Sequence, residues 1–274
     1  MNKAYSIVWN SSRQAWVVAS ELARGHGFVL AKNIILSMAI ASSIGASWAQ
    51  EPNTHIGNGA FESNTSVSSS QIVYSGGHTS NVTILQGGTQ SVNNNGYTSS
   101  THINNSGTQV VGNLGSSFDT VVSSGGKQTV NSGGTATGTK LSGGNQNVSS
   151  GGSAIAAEVY SGGKQTVYAG GTATGTKLSG GNQNVSSGGK AIDAEVYSGG
   201  KQTVYAGGTA TETKLSGGTQ NVSSGGSATG TVVNSSGTQN IYSAGNAISV
   251  TINSSGTQNI LSGGSASATV VNTG

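Results

Sequence analysis

The chain has 274 residues, with 46 Gly, one Pro, no Cys and only 7% charged residues. Such a glycine load is foreign to an ordinary globular domain, the scarcity of charge excludes a charge-driven disordered tail, and the absence of cysteine excludes a disulfide scaffold. The formal charge of +3 and a pI near 9.1 suggest a basic protein, but the excess lies in the first 49 residues; beyond them seven lysines face seven acids, so net charge implies neither a nucleic-acid nor an anionic-membrane partner.

Residues 1–49 differ in composition from the rest. They hold all three Trp, at 9, 16 and 48, with Lys3, Arg13, Arg24 and Lys32 against the single acid Glu21. After Lys32 comes "NIILSMAIASSIGA", an apolar run too short and too rich in Ser for a membrane span. Small residues then stand at Ser47 and Ala49. This pattern predicts a secretory signal cut between Ala49 and Gln50. A signal needs only a short basic start, yet "MNKAYSIVWN" and "AWVVASELARG" precede the run, and so few residues could not bury a core of their own. Met1–Gly25 resembles the extended signal peptide region of large autotransporters, the type V secreted proteins of Gram-negative bacteria.

Residues 50–68 read as a cap segment, and residues 69–274 as a repeat. With the second Gly of one class as origin (88, 107, 126, 144, 163, 181, 200, 218, 237 and 256, with Ser69 in the same slot upstream), eleven units of 18 or 19 residues follow. A second Gly lies eight residues past every origin. Gln stands two past each origin and Val or Ile four past it. Two past the second Gly is Ala in eight units and Thr or Ser in the first three; seven past it is aliphatic throughout, from Ile84 to Val271. A flexible linker would not keep this register. The unit is too short for a helix pair and holds β-branched runs between Gly turns, which predicts an all-β fold: a right-handed parallel β-helix of about eleven coils, identical slots stacking about 4.8 Å apart. Gln and Val share parity, so either a ladder of glutamine amides lies inside or a bend separates the two slots.

One outward slot, six past the second Gly, reads Lys140, Glu158, Lys177, Glu195, Lys214 over five successive coils. Stacking sets each charge beside an opposite one, a solvated ladder that also guards register, because a one-coil slip juxtaposes like charges. It is the candidate self-association surface. No catalytic, metal or cofactor residues emerge. His55, His78 and His102 occupy unrelated slots, and the acids are scattered or paired with Lys. The turns lack the repeated Asp of calcium-binding β-rolls, and no helix follows "GGTATG" to make a phosphate cradle. An enzyme is not expected.

The units "SGGTQNVSSGGSATGTVVNSSGTQN", residues 216–240, resemble the passenger repeats of AIDA-type self-associating autotransporter adhesins. The resemblance implies a passenger β-helix exported through the inner membrane and displayed at the surface by a C-terminal outer-membrane barrel. There it mediates adherence to a host-cell receptor, clumping and biofilm formation. It also implies O-heptosylation by a cytoplasmic transferase, for which Ser150, Ser187 and Ser224 beside the Gly corners are the candidates. The expectation from the sequence is a passenger truncated before its barrel, periplasmic unless joined to one. A structural stalk, or a fragment that is not displayed, is the alternative.

Overall fold

The structure, a computed structural model, describes residues 5–10, 15–20, 54–131, 133–149, 151–223 and 225–272. The chain divides into two units, residues 1–47 and 48–274. In the first, Tyr5–Asn10 pairs antiparallel with Ala15–Ser20. In the second, each coil contributes three short strands, for example Lys127–Val130, Thr135–Thr137 and Lys140–Ser142. Every strand pairs in parallel with its counterpart one coil away, which gives three twelve-stranded sheets, called here first, second and third in that order. The eleven coils expected from the sequence are present. Thr54–Ile56, Phe61–Ser63 and Ser66–Val67, within the stretch expected as a cap segment, add one coil in front of them in the same register.

Alternation within each strand decides what is buried. In the first sheet, Gln109 stacks between Gln90 and Gln128, and Val111 between Val92 and Val130. The strand is straight, so both slots point inward and the amide ladder lies inside. Ten glutamines from Gln71 to Gln239 are at most 1% exposed. From Gln90 to Gln258, each donates its Nε2 to Oε1 of the glutamine one coil earlier, at 2.6–2.8 Å. Side-chain amides are affordable in this core because every coil repeats the partner. Thr139, Thr176 and Thr213 add a second donor to Gln128, Gln165 and Gln202 at 3.0 Å. All the amide dipoles point one way, with the N–H end toward the N-terminus. There the last donor, Gln71 Nε2, meets Glu62 Oε2 at 3.1 Å, an anion at the positive end of the row.

The inward aliphatics of the third sheet, Ile84 through Val233, form one continuous buried cluster. The Ala of the second sheet packs against the Val of the first. Each fully buried Val, Leu or Ile contributes about 1.5–3 kcal/mol. The corners explain which glycines can vary. A Cβ on Gly189 would stand 2.4 Å from the carbonyl oxygen of Val167 in the coil below, so nothing larger fits. Gly188 before it takes φ +68 in a turn closed by Gly189 N–H donating to Ser186 O at 2.8 Å. Other coils fill that slot with Asn95, Leu114 or Ala244 at φ 63, 63 and 55. At this corner the first Gly of the pair serves conformation and is replaceable, whereas the second serves close approach and is Gly in all eleven repeat coils. The 18-residue coils drop their residue after the third sheet, where Ser123–Gly143, Tyr160–Gly180 and Tyr197–Gly217 make single bridges, and every inward slot stays aligned.

Candidate interaction surface

A solenoid has no cleft by default; what it offers is columns of outward side chains. On the third sheet, Lys140 stacks on Glu158, Glu158 on Lys177, Lys177 on Glu195 and Glu195 on Lys214. The three lysines are exposed and the two glutamates half-buried. The row does not close into ion pairs, since no lysine nitrogen of it lies within 4.0 Å of a carboxylate oxygen. The carboxylates are engaged from the side. Tyr160 donates its hydroxyl to Glu158 Oε2 at 2.5 Å, and Tyr197 to Glu195 Oε2 at 2.6 Å. Residues two apart on a strand share a face, so each ring reaches its glutamate without distortion. That hydrogen bond, then burial, then the adjacent negative charge raise both phenols above their ordinary value of 10.0.

The sequence singled out the charged slot but not the tyrosines, although "EVY" at 158–160 and 195–197 carries the signal in its i, i+2 spacing. It also treated the remaining acids as scattered. Asp119, Asp193 and Glu212 in fact share one slot, the first residue of the two-residue corner between the second and third sheets, at φ 50, 52 and 56. Of the serines expected to carry sugar, Ser187 is exposed in the turn closed over Gly188; Ser150 and Ser224 lie outside the described residues, as do Ala49 and Gln50 at the expected cleavage site. His78 stacks on Tyr97 at 5.0 Å, Tyr97 on Phe118 at 4.9 Å, and His55 meets Tyr74 edge-on at 6.3 Å. Among the described residues, no group of three or more His, Asp or Glu is placed to hold a metal ion.

The outward face of the first sheet differs again. Lys127, Lys164 and Lys201 are exposed in one column, alternating with Asn145 and Asn182. Near the same edge a pocket of about 150 Å³ is lined by Ser91, Val92, Asn93, Val110, Gly112, Asn113 and Asn131. A Cβ on Gly112 would come within 2.8 Å of Asn131 Oδ1 in its wall.

Comparison with known proteins agrees with this architecture. Residues 1–48 match the family described as the extended signal peptide of the type V secretion system. Residues 184–237 match the family described as adhesin of bacterial autotransporter system, probable stalk. The autotransporter adhesin AIDA-I of Escherichia coli is 57% identical over 76 residues, 28% of this chain and 6% of that protein, so the chain matches only a small part of its curated relative's length. The crystal structure of a TibC-catalysed, hyper-glycosylated TibA fragment superposes with a TM-score of 0.74 at 42% identity, over 80% of this chain and 89% of that one. A type V export signal followed by a parallel β-helix defines an autotransporter passenger. The chain belongs to the AIDA-type autotransporter adhesins.

Proposed function

We propose that the chain is an adhesive surface rod, without enzymatic activity, that holds cells together by lateral association of copies and adheres to a host-cell receptor. The observation that carries the reading is the alternating row from Lys140 to Glu158, Lys177, Glu195 and Lys214, held in rigid register. The row reads the same in both directions. An antiparallel copy shifted by one coil therefore sets every glutamate against a lysine, four pairs across a two-fold axis with one lysine of each copy left over. Each exposed pair contributes about 0.2–1 kcal/mol, so one face alone gives at best about millimolar binding. Dense display on two facing cells supplies the rest through multivalency.

Surface display follows if the passenger is joined to an outer-membrane barrel, with cleavage between Ala49 and Gln50 on export. A glycosyltransferase of the kind that modified the TibA fragment is proposed to act on Ser187 and its equivalents Ser150 and Ser224 before export. The domain division proposed is a signal at residues 1–49, a leading segment at 50–68 and the repeat rod at 69–274.

Beads coated with the purified chain test the reading. They should clump, and clumping should weaken as salt rises to physiological strength, where the Debye length is about 8 Å. The Glu158→Lys/Glu195→Lys variant should not clump alone but should clump with a variant carrying Glu at 140, 177 and 214. Clumping indifferent to salt and to both variants would remove this face from the proposal. A second reading, a passive stalk, is favoured by the uniform stacking of all three sheets and by the matched family's description. It predicts no clumping by any variant.

A further inference from the structure

We propose that the outward face of the first sheet is a binding strip for a linear polysaccharide bearing one uronate carboxylate per disaccharide. The charges of this electrically neutral rod are not mixed evenly around it. The outward slots of the first sheet carry Lys127, Lys164 and Lys201 and no acid in any coil, while Asp119, Asp193 and Glu212 gather at the opposite corner. Local charge on the strip is therefore positive and uncompensated, which a copy's alternating row on the third sheet does not match.

The spacing narrows the partner. Register places the lysines two coils apart, because Asn145 and Asn182 stand between them. At about 4.8 Å per coil the positive charges recur about every 10 Å. Duplex DNA presents a charge every ~1.7 Å, so the row would meet only about one phosphate in six and release few counterions. An extended polysaccharide advances by roughly one disaccharide over two coils, and one uronate per disaccharide gives a one-to-one match.

Neighbouring side chains suit sugar as well as charge. Tyr168 and Tyr205, four residues after Lys164 and Lys201, recur with the same two-coil period and are 43% and 41% exposed. Thr166 and Thr203, outward residues between lysine and tyrosine, are only 5% and 7% exposed. Thr129, whose coil has Asn131 in the tyrosine slot, is half-buried instead. The tyrosine rings thus lean over the sheet and offer flat apolar faces for the C–H side of a pyranose, while Asn147 and Asn184, one coil before each tyrosine, offer amides to its hydroxyls. The Asn-lined pocket at Gly112 continues the same edge and is too small for a drug-sized ligand but open to a substituent of one sugar.

The test is binding of the purified full chain to immobilised hyaluronan, to carboxyl-reduced hyaluronan and to duplex DNA. Expected are binding to hyaluronan that weakens with salt, and binding at least about tenfold weaker to the carboxyl-reduced polymer and to DNA. Lys127→Gln/Lys164→Gln/Lys201→Gln should lose about tenfold or more, as three exposed ion pairs allow. Tyr168→Ser/Tyr205→Ser should lose affinity for both polysaccharides alike. Lys140→Gln/Lys177→Gln/Lys214→Gln should keep hyaluronan binding while losing clumping, which separates this strip from the self-association face. All these residues point outward, so an unchanged circular dichroism spectrum is expected in every variant. No hyaluronan binding, equal binding by the strip triple, or preference for DNA overturns the proposal.

Discussion

The leading coils, residues 70–123, and the central coils, residues 126–217, share a backbone register and differ in what fills it. In the leading coils the inward slot of the second sheet holds Thr79, Thr98 and Ser117. Their hydroxyls form buried contacts, Thr79 to Thr98 at 2.8 Å, Thr98 to Thr101 at 2.9 Å and Ser117 to Thr120 at 2.7 Å, and reach the amide ladder through Gln90 and Gln109. In the central coils the same slot is Ala, packed on Val. Outside, the leading coils stack His78, Tyr97 and Phe118, whereas the central coils carry all the Lys columns and the charged row. The amide ladder runs unbroken through both. The fold therefore depends on the ladders of Gln and aliphatic residues, and a hydroxyl enters the core only where it can bond to them.

Breaking a ladder should hurt far more than exchanging the filling. Val185→Asp places an unpaired charge at a site with no exposure and should cost several kcal/mol, seen as local protease cleavage, while Ser187→Asp in the neighbouring turn should be nearly silent. Equal protease sensitivity of the two would mean that the inward assignment is wrong. Next in size, Gln165→Ala strands Gln146 Oε1 and Gln183 Nε2, which it now bonds at 2.7 and 2.6 Å, and should cost roughly 2–5 kcal/mol by thermal or denaturant unfolding.

The coils themselves were legible because the constraint behind them is repeated eleven times: Gln and an aliphatic residue at fixed distances from a Gly that cannot hold a Cβ. What escaped was single or lateral. Glu62 closes the amide ladder once, at one end, and no repeat announces it. Whether Gln pointed in or bent away needed the path of the strand, since parity alone allows both. The charged row was readable as a column, but its carboxylates pair with Tyr160 and Tyr197 on the same strand, a competition that stacking arguments along the axis do not weigh. The acids at 119, 193 and 212 looked scattered because their intervals span four coils and then one, although they occupy the same corner.

A smaller pair of changes tests the comparison directly. Thr98→Val removes a hydroxyl that bonds both Thr79 and Thr101 and should cost about 1–3 kcal/mol. Ala173→Thr moves the leading-coil filling into a central coil already packed by Val167 and should cost about 1–3 kcal/mol through overpacking. If Ala173→Thr is instead neutral, its hydroxyl has found the amide ladder, and the two regions are interchangeable.

The smallest expected effect belongs to the central coils alone and is a matter of pH. Tyr160 and Tyr197 are held above the ordinary phenol value of 10.0, first by donating to Glu158 and Glu195, then by partial burial and the neighbouring negative charge. A folded-state value above the unfolded one means that the neutral phenol is favoured by folding. Its contribution is complete below pH 10.0 and is lost as pH rises through the higher folded value. Both rings are about two-fifths exposed, at 40% and 38%, so the effect on stability is slight and the direct readout is tyrosinate absorbance. Two of the chain's tyrosines should titrate late in the native protein, and Glu158→Gln/Glu195→Gln should bring both back toward 10.0, because a neutral amide accepts the hydrogen bond without repelling the phenolate. An unchanged titration curve in that variant would show that the tyrosines do not occupy the carboxylates, and would leave Glu158 and Glu195 free to pair with the lysines stacked on either side of them.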